Sequence, residues 1–364
     1  MTDEPFQYRF SALRGIQGGR EYYVAMCPLR LLSKIFLFDE EEVAPEIRAQ
    51  RTLNRARLPE ITRYIVDNPR DYVFSSLTAS IDGRVEFLPH VDHGSIGSLV
   101  VPMSARFVIA DGQHRRAAIE EALKEKPELG EETISVVFFL DAGLKRSQQL
   151  FSDLNRHAVR PTQSIGLLYD HRDPLAGLAR GLATDHPVFR GLTEMEKTSI
   201  SNRSRKLFTL SSIYHATRKF LGKARRASVT EREAALAREF WSEVGKHMGD
   251  WQAAQRREVS TKELRQDTIH AHGIGLQAIA IAGAALLQQE PRKWKSGLRG
   301  LEKIDWARSN ASVWEGRATV GGKLNKTEAN VQLTANVIKK ALGVPLTEQD
   351  SKAEARRSHA RAAK

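Results

Sequence analysis

A single cysteine, Cys27, among 364 residues rules out an internal disulfide and any zinc site built from several thiolates. It also leaves no set of four thiolates for an iron–sulfur cluster. Long apolar runs are missing too: the longest, 274–287, has 14 residues, below the roughly 18 needed to cross a bilayer, and suits a buried helix. The opening stretch MTDEPFQYRF is acidic and has no apolar segment followed by a cleavage site, so no secretory signal is expected. There is no lipidation motif and no basic amphipathic helix with an aromatic face, which removes an acidic membrane as the expected partner. No internal repeat is present. These absences predict a protein of the reducing cytoplasm, with Cys27 a small core residue.

Positive charge is in excess, and it is unevenly placed. Residues 1–196 hold 24 Lys and Arg against 28 Asp and Glu, whereas residues 197–364 hold 32 against 16, so the net +12 comes entirely from the second half. Such asymmetry predicts a dedicated polyanion-binding region, because each phosphate neutralised by Lys or Arg releases condensed counterions. Double-stranded DNA is the first candidate. The cations in the polar stretches between helices are the expected DNA ligands: Arg203, Arg205 and Lys206 in SNRSRK, Lys223, Arg225 and Arg226 in KARR, and Arg256 and Arg257 in QRR.

A chain of this length can bury a real core and suits two domains. The first half alternates strand and helix patterns. Strands are expected at 6–10 and 21–26, joined through the glycine-rich 15–19, with a helix opening at Pro28. An amphipathic helix over 54–67 has Leu58, Ile61 and Ile65 at helical spacing and closes at Asn68-Pro69. Strands follow at 72–81, 85–88, 98–101 and 107–110, then a helix over 113–126. The apolar run ISVVFFL at 134–140 predicts a strand covered on both faces, and helices over 144–154 and 162–170 complete an α/β unit. Beyond about Asp173 the strand signal ends, and 206–221, 231–247, 268–289 and 328–342 read as helices. The expected organisation is an α/β (α+β) domain at 1–172, a basic, mostly α-helical domain at 173–346, and a basic tail at 347–364. The last stretch of that tail, 351–364, has five cations and one acid, which predicts disorder in the free protein.

The densest chemistry lies in RFVIADGQHRRAA, residues 106–118. A strand breaks at Asp111-Gly112, and a helix opens with Gln113, His114, Arg115 and Arg116. The first N–H groups of a helix have no intrahelical partner and point outward with the positive end of the dipole, so two added guanidinium groups suit a phosphate. An aspartate cap with solvated arginines is the equal alternative. A second polar cluster at 151–157 contains Asn155 and Arg156. Together the two clusters would hold ATP or another NTP with Mg2+. Arg115, Arg116, Gly112 and Gln113 would lie at the phosphates, and Asp111 on a ribose hydroxyl or a metal-bound water. Asp111 and His114 are also the candidates to activate water in an NTPase or a metal-assisted DNA nickase. No protein metal-ligand set is expected: His90 with His93 and His270 with His272 lack zincin spacing and read as capping or solvent residues. Trp294, Trp306 and Trp314 lie amid cations as base-stacking residues would, but read first as buried anchors.

The string Asp111-Gly112-Gln113-His114-Arg115 is the signature of DGQHR-domain proteins. Around it the chain resembles the DndB family of DNA sulfur modification proteins, through most of the first half, including Arg55 and Arg57, FLPH at 87–90, SLVVP at 98–102 and Asp153-Leu154-Asn155. More distantly, residues 112–118 are similar to the G-x-R-R-x-x-A box of ParB-like and sulfiredoxin-like folds, with one extra residue before the first arginine. Asn155-Arg156 resembles the asparagine-arginine box that follows in ParB. The resemblance implies a ParB/sulfiredoxin-like first domain whose arginines hold nucleotide phosphates. It also implies a protein acting on or near DNA, with other DNA sulfur modification proteins as partners. From the DndB family comes the expectation of a transcriptional repressor that binds the promoter of the modification genes. Homo-oligomerisation is left open.

Overall fold

Alternation of apolar and polar residues with period two builds the larger sheet of this protein. In the computed structural model, which describes residues 6–36, 55–140, 149–150, 153–154 and 161–362, the chain forms two units, 1–159 and 160–364. Among its described residues the first has seven strands: β1 (Gln7–Gln17), β2 (Arg20–Pro28), β3 (Leu77–Asp82), β4 (Glu86–His90), β5 (His93–Pro102), β6 (Arg106–Asp111) and β7 (Thr133–Leu140). Their order across the sheet is β4-β5-β1-β2-β7-β3-β6. All neighbours are antiparallel except β3 and β7. The hairpin between β1 and β2 turns on Gly18 and Gly19, both at positive φ (57° and 72°), as a two-residue turn matched to strand twist requires.

Alternate residues enter one core: Phe10 and Ala12, Tyr23 and Ala25, Ile134, Val136 and Phe138, and Phe107 and Ile109. Helices Leu29–Ile35, Leu58–Asp67 and Gln113–Glu125 contribute Leu32, Ile65 and Ile119 to it. The run ISVVFFL, expected to be covered on both faces, is fully buried on one only; Ser135, Val137 and Phe139 stay partly exposed. The described helices pack against the opposite face, so burial alternates. Cys27 lies in the core with no exposure, and burial pushes its thiol up to about 12, which makes it inert at neutral pH.

The second unit is helical apart from two-residue strands. Helix Gly273–Gln289 is apolar on nearly every side and packs against helices Leu210–Phe220 and Glu328–Ala341. Two helices start later than the apolar pattern suggests. Thr209 caps the first in a reciprocal box with Ser212, which stops it from extending backward; the second begins at Gly273, after extended backbone at His272. Helix Gln163–Tyr169, on the first-domain side of the boundary expected at 172, belongs to the second unit, where Ser164 bonds Ser211 at 3.3 Å. The charge divides with the units: 20 Lys and Arg against 23 Asp and Glu in 1–159, and 36 against 21 in 160–364. Among the described residues, no helix is long and apolar enough to cross a membrane.

The tail expected to be disordered is instead a helix, Glu348–Ala362. Two ion pairs fix it, Lys339 to Asp350 at 2.7 Å and Arg317 to Glu354 at 2.7 Å. The Lys339 and Asp350 side chains are only 7% and 3% exposed. A segment too polar to bury apolar surface is ordered here by buried charge.

Candidate functional site

The DGQHR turn is a strand-turn-helix, as its sequence predicts. β6 is an edge strand paired with β3, and its end delivers Asp111 to the turn. Gly112 adopts φ +103°, and a Cβ there would stand 2.4 Å from the Leu77 side chain, so glycine is required. Gln113 folds back, its Nε2 donating to the carbonyls of Ile109 (3.1 Å) and Ala110 (3.4 Å).

Arg115 is bonded within the fold through both terminal nitrogens. Its Nη1 donates to the carbonyls of Ser75 (2.7 Å) and Ser76 (3.0 Å) and to the Ser75 hydroxyl, while Nη2 donates to the Asp111 carboxylate at 2.5 Å. The guanidinium ties the helix to the backbone entering β3. Arg116 is buried and pairs with Glu120 at 3.1 Å, leaving its Nε without a hydrogen-bond partner. His114 is half-buried; burial, then the charge of Arg57, lowers its pKa and favours the neutral ring. The guanidinium that would grip phosphate and the carboxylate that would orient a metal-bound water are bonded to each other. Among the described residues, no group of three His, Cys, Asp or Glu could hold a metal. Asn155 and Arg156 lie outside the described residues.

The cations expected on DNA divide into two classes. Lys223 pairs with Glu233 (2.7 Å), Arg226 with Asp170 (3.2 Å), and Arg256 with Glu258 in a two-pronged bond (2.7 and 2.8 Å). Lys206 donates to the Gly191 carbonyl at 3.0 Å. Arg203, Arg205, Arg225 and Arg257 are exposed and form no ion pair among the described residues. Three of these, Arg203, Arg205 and Arg257, line one cleft of about 870 Å3 together with Arg190 and Lys262. Among the described residues its one lining acid is Glu258, whose carboxylate is paired with Arg256. A larger cavity of about 1050 Å3 beside helix Glu348–Ala362 mixes Glu315, Glu328 and Asp350 with Lys339, Lys352, Arg356 and Arg357; Lys339 is paired with Asp350 there and Arg357 is bonded to the Glu315 carbonyl. Sequence reasoning missed Arg190 and Lys262 because each is a single cation with no local motif around it.

The remaining expectations resolve into packing. Trp294 and Trp314 are buried, and Trp306 stacks on Trp314 with centroids 5.7 Å apart, so all three serve the core. His90 and His93 pair across the exposed tip of the β4–β5 hairpin. His270 and His272 are neither within a helix nor solvent residues. His270 is 1% exposed; its Nδ1 accepts from Trp251 Nε1 (3.0 Å) and its Nε2 donates to Asp250 (2.9 Å). The Nε2 of His272 donates to the Arg265 carbonyl at 2.6 Å. Both rings are drawn inward because they sit in the bend before the buried helix Gly273–Gln289.

No curated protein and no solved structure matches this chain. The family model of DndB, described as DNA-sulfur modification-associated, matches residues 10–345. It thus spans both units, the helical half without a quotable motif included, and on that near-complete match the chain belongs to the DndB family of DNA-sulfur-modification-associated proteins.

Proposed function

We propose that this chain is a DNA-binding protein of a DNA sulfur modification system, a transcriptional repressor of the modification genes that engages its operator through the second unit. The observation that carries the reading is the group of exposed arginines that have no acid partner among the described residues, in the unit that holds all the excess charge. Arginines kept out of internal ion pairs are available to phosphates, and each phosphate contact adds about 0.9 to the dependence of log affinity on log salt. Its partners in this reading are duplex DNA and the other proteins of the system. Fluorescence anisotropy with promoter and scrambled duplexes tests it. The promoter should bind more tightly at physiological salt, and equal affinity for the two would exclude repression by operator recognition.

A second reading keeps the DGQHR turn as a ParB-like nucleotide site, with hydrolysis or DNA nicking as its activity. The favouring observation is the buried Nε of Arg116, a donor awaiting an acceptor. A nucleotide would have to release Arg115 from Ser75 and Asp111 first. Calorimetric titration with ATP, CTP and GTP, with and without Mg2+, would give no heat if the turn is purely structural. Phosphate release that survives Asp111→Ala would remove the catalytic version.

A further inference from the structure

The loop 201–206 that presents Arg203 and Arg205 is clamped from beneath by a buried arginine. The Arg265 guanidinium donates to the carbonyls of Ser201 (3.0 Å), Ser204 (3.2 and 3.3 Å) and Lys206, and Thr261 Oγ1 adds a bond to Ser204 (3.1 Å). Arg265 is 9% exposed, and its own carbonyl is held by His272. With the loop carbonyls turned inward, the Arg203 and Arg205 side chains line the cleft from one side. Lys206 pins the same loop to Gly191, next to Arg190. From the other side comes Arg257, the residue ending helix Gly249–Arg256, which holds a left-handed conformation at φ +65°. Among the described residues that line the cleft there is no aromatic side chain, hence no platform on which a base could stack.

Resting on the DNA-binding reading above, we propose that this cleft is a pre-organised subsite for the phosphodiester backbone of DNA, gripping consecutive phosphates without regard to base sequence, with Arg265 as its positioning residue. Ordering the loop in advance means that little conformational entropy remains to be lost when phosphates arrive. Base recognition must then lie outside the cleft, because guanidinium contacts to phosphates fix position and carry no sequence information.

The test is anisotropy over a salt series, using the full chain with promoter and scrambled duplexes. Arg203→Ala and Arg205→Ala would be combined with Arg257→Asn, asparagine being chosen because it tolerates the left-handed conformation. Losing three phosphate contacts should lower the salt slope by about 3 and the affinity at 0.15 M salt by about a hundredfold, equally on both duplexes. Arg265→Lys removes no charge, yet a lysine cannot bridge three carbonyls; affinity should fall severalfold on both duplexes while the folded signal is kept. Lys246→Ala, which removes a cation paired with Glu243 outside the cleft, should change either affinity by less than threefold. A triple variant that binds within twofold of the wild type, or that loses only its preference for the promoter, overturns the proposal. Wild-type protein that binds neither duplex overturns the function proposed above, a result that this cleft failure cannot imitate.

Discussion

Two arginines do the same mechanical work in the two units, with opposite consequences. Arg115 in the first and Arg265 in the second each spend a guanidinium on backbone carbonyls of a distant segment, at Ser75 and Ser76 in one case and at Ser201, Ser204 and Lys206 in the other. Arg115, partly exposed, closes a turn whose other cation, Arg116, is buried, and the two pair with Asp111 and Glu120. Arg265 instead orders a loop that leaves its own arginines exposed. A planar fork with donors on two terminal nitrogens suits both clamps, where the single nitrogen of a lysine cannot span carbonyls set this far apart. The motif's guanidinium is thus bonded within the fold, while the cationic loop 201–206 keeps Arg203 and Arg205 exposed.

The largest effect that could break this comparison is Arg115→Ala. It strands the Ser75 and Ser76 carbonyls and the Asp111 carboxylate, and should destabilise the first unit by about 3 kcal/mol with no change in DNA affinity. All five tryptophans, from Trp241 to Trp314, lie in the second unit. Their fluorescence transition should therefore stay in place while amide exchange in β3 and β6 accelerates. If the stability holds but nucleotide affinity vanishes, Arg115 is a phosphate ligand and the parallel with Arg265 fails. Gly112→Ala comes next. With φ +103° and Leu77 only 2.4 Å from the added Cβ, it should cost roughly 2 kcal/mol, read as a lower melting temperature of the first unit.

How much of this was legible in the sequence follows from how far apart the cooperating residues lie. The strand-turn-helix at Asp111 is contiguous, so period-two and helical patterns met at a visible glycine and the turn could be drawn correctly. The bonds that spend Arg115 reach 40 residues back to Ser75, and no local pattern reports them. The cleft gathers residues from 187–192, 202–205 and 254–262; Arg203, Arg205 and Arg257 stood in visible cationic runs, but Arg190, Lys262 and the clamp at Arg265 did not. The C-terminal tail failed for the same reason. Its composition reads as disordered, and Lys339, which anchors Asp350, belongs to a different helix.

Acid sharpens the contrast from the side of the second unit. Burial alone would raise the Asp350 carboxyl, but hydrogen bonds from Lys339, Gln332 and Thr347 outweigh it and hold the group at about 2, below its ordinary 3.8. A depressed carboxylate stabilises fully above about pH 4 and loses that contribution as pH falls toward 2, roughly 2 kcal/mol in all. Burial also holds His215 and His272 at about 4 against an ordinary 6.5; these rings are neutral when folded, so their contribution is lost between pH 6.5 and 4. Tryptophan-monitored stability should thus decline in two windows, and Asp350→Asn should shrink only the lower one, to which the depressed carboxyls of Asp250 and Glu354 also contribute. A single loss above pH 6.5 would show that the tail helix is not held by its buried carboxylate.

The smallest effect bears most directly on the sorting of cations into spent and available. Arg256 is exposed, yet it bonds Glu258 through two nitrogens, and Glu258, not Arg256, lines the cleft. The role of Arg256 would then be to mask the one acid facing the phosphates. Arg256→Ala should weaken DNA binding by only about threefold, as expected for an exposed charge. Glu258→Gln added to that background should restore the affinity, because the repulsion disappears with its source. The salt slope should remain close to wild type throughout, since no phosphate contact is lost. If Arg256→Ala instead lowers the slope by about 1 and Glu258→Gln restores nothing, Arg256 touches phosphate itself. A cation paired in the free protein would then be available after all, and pairing would not separate the structural arginines of this chain from those that meet DNA.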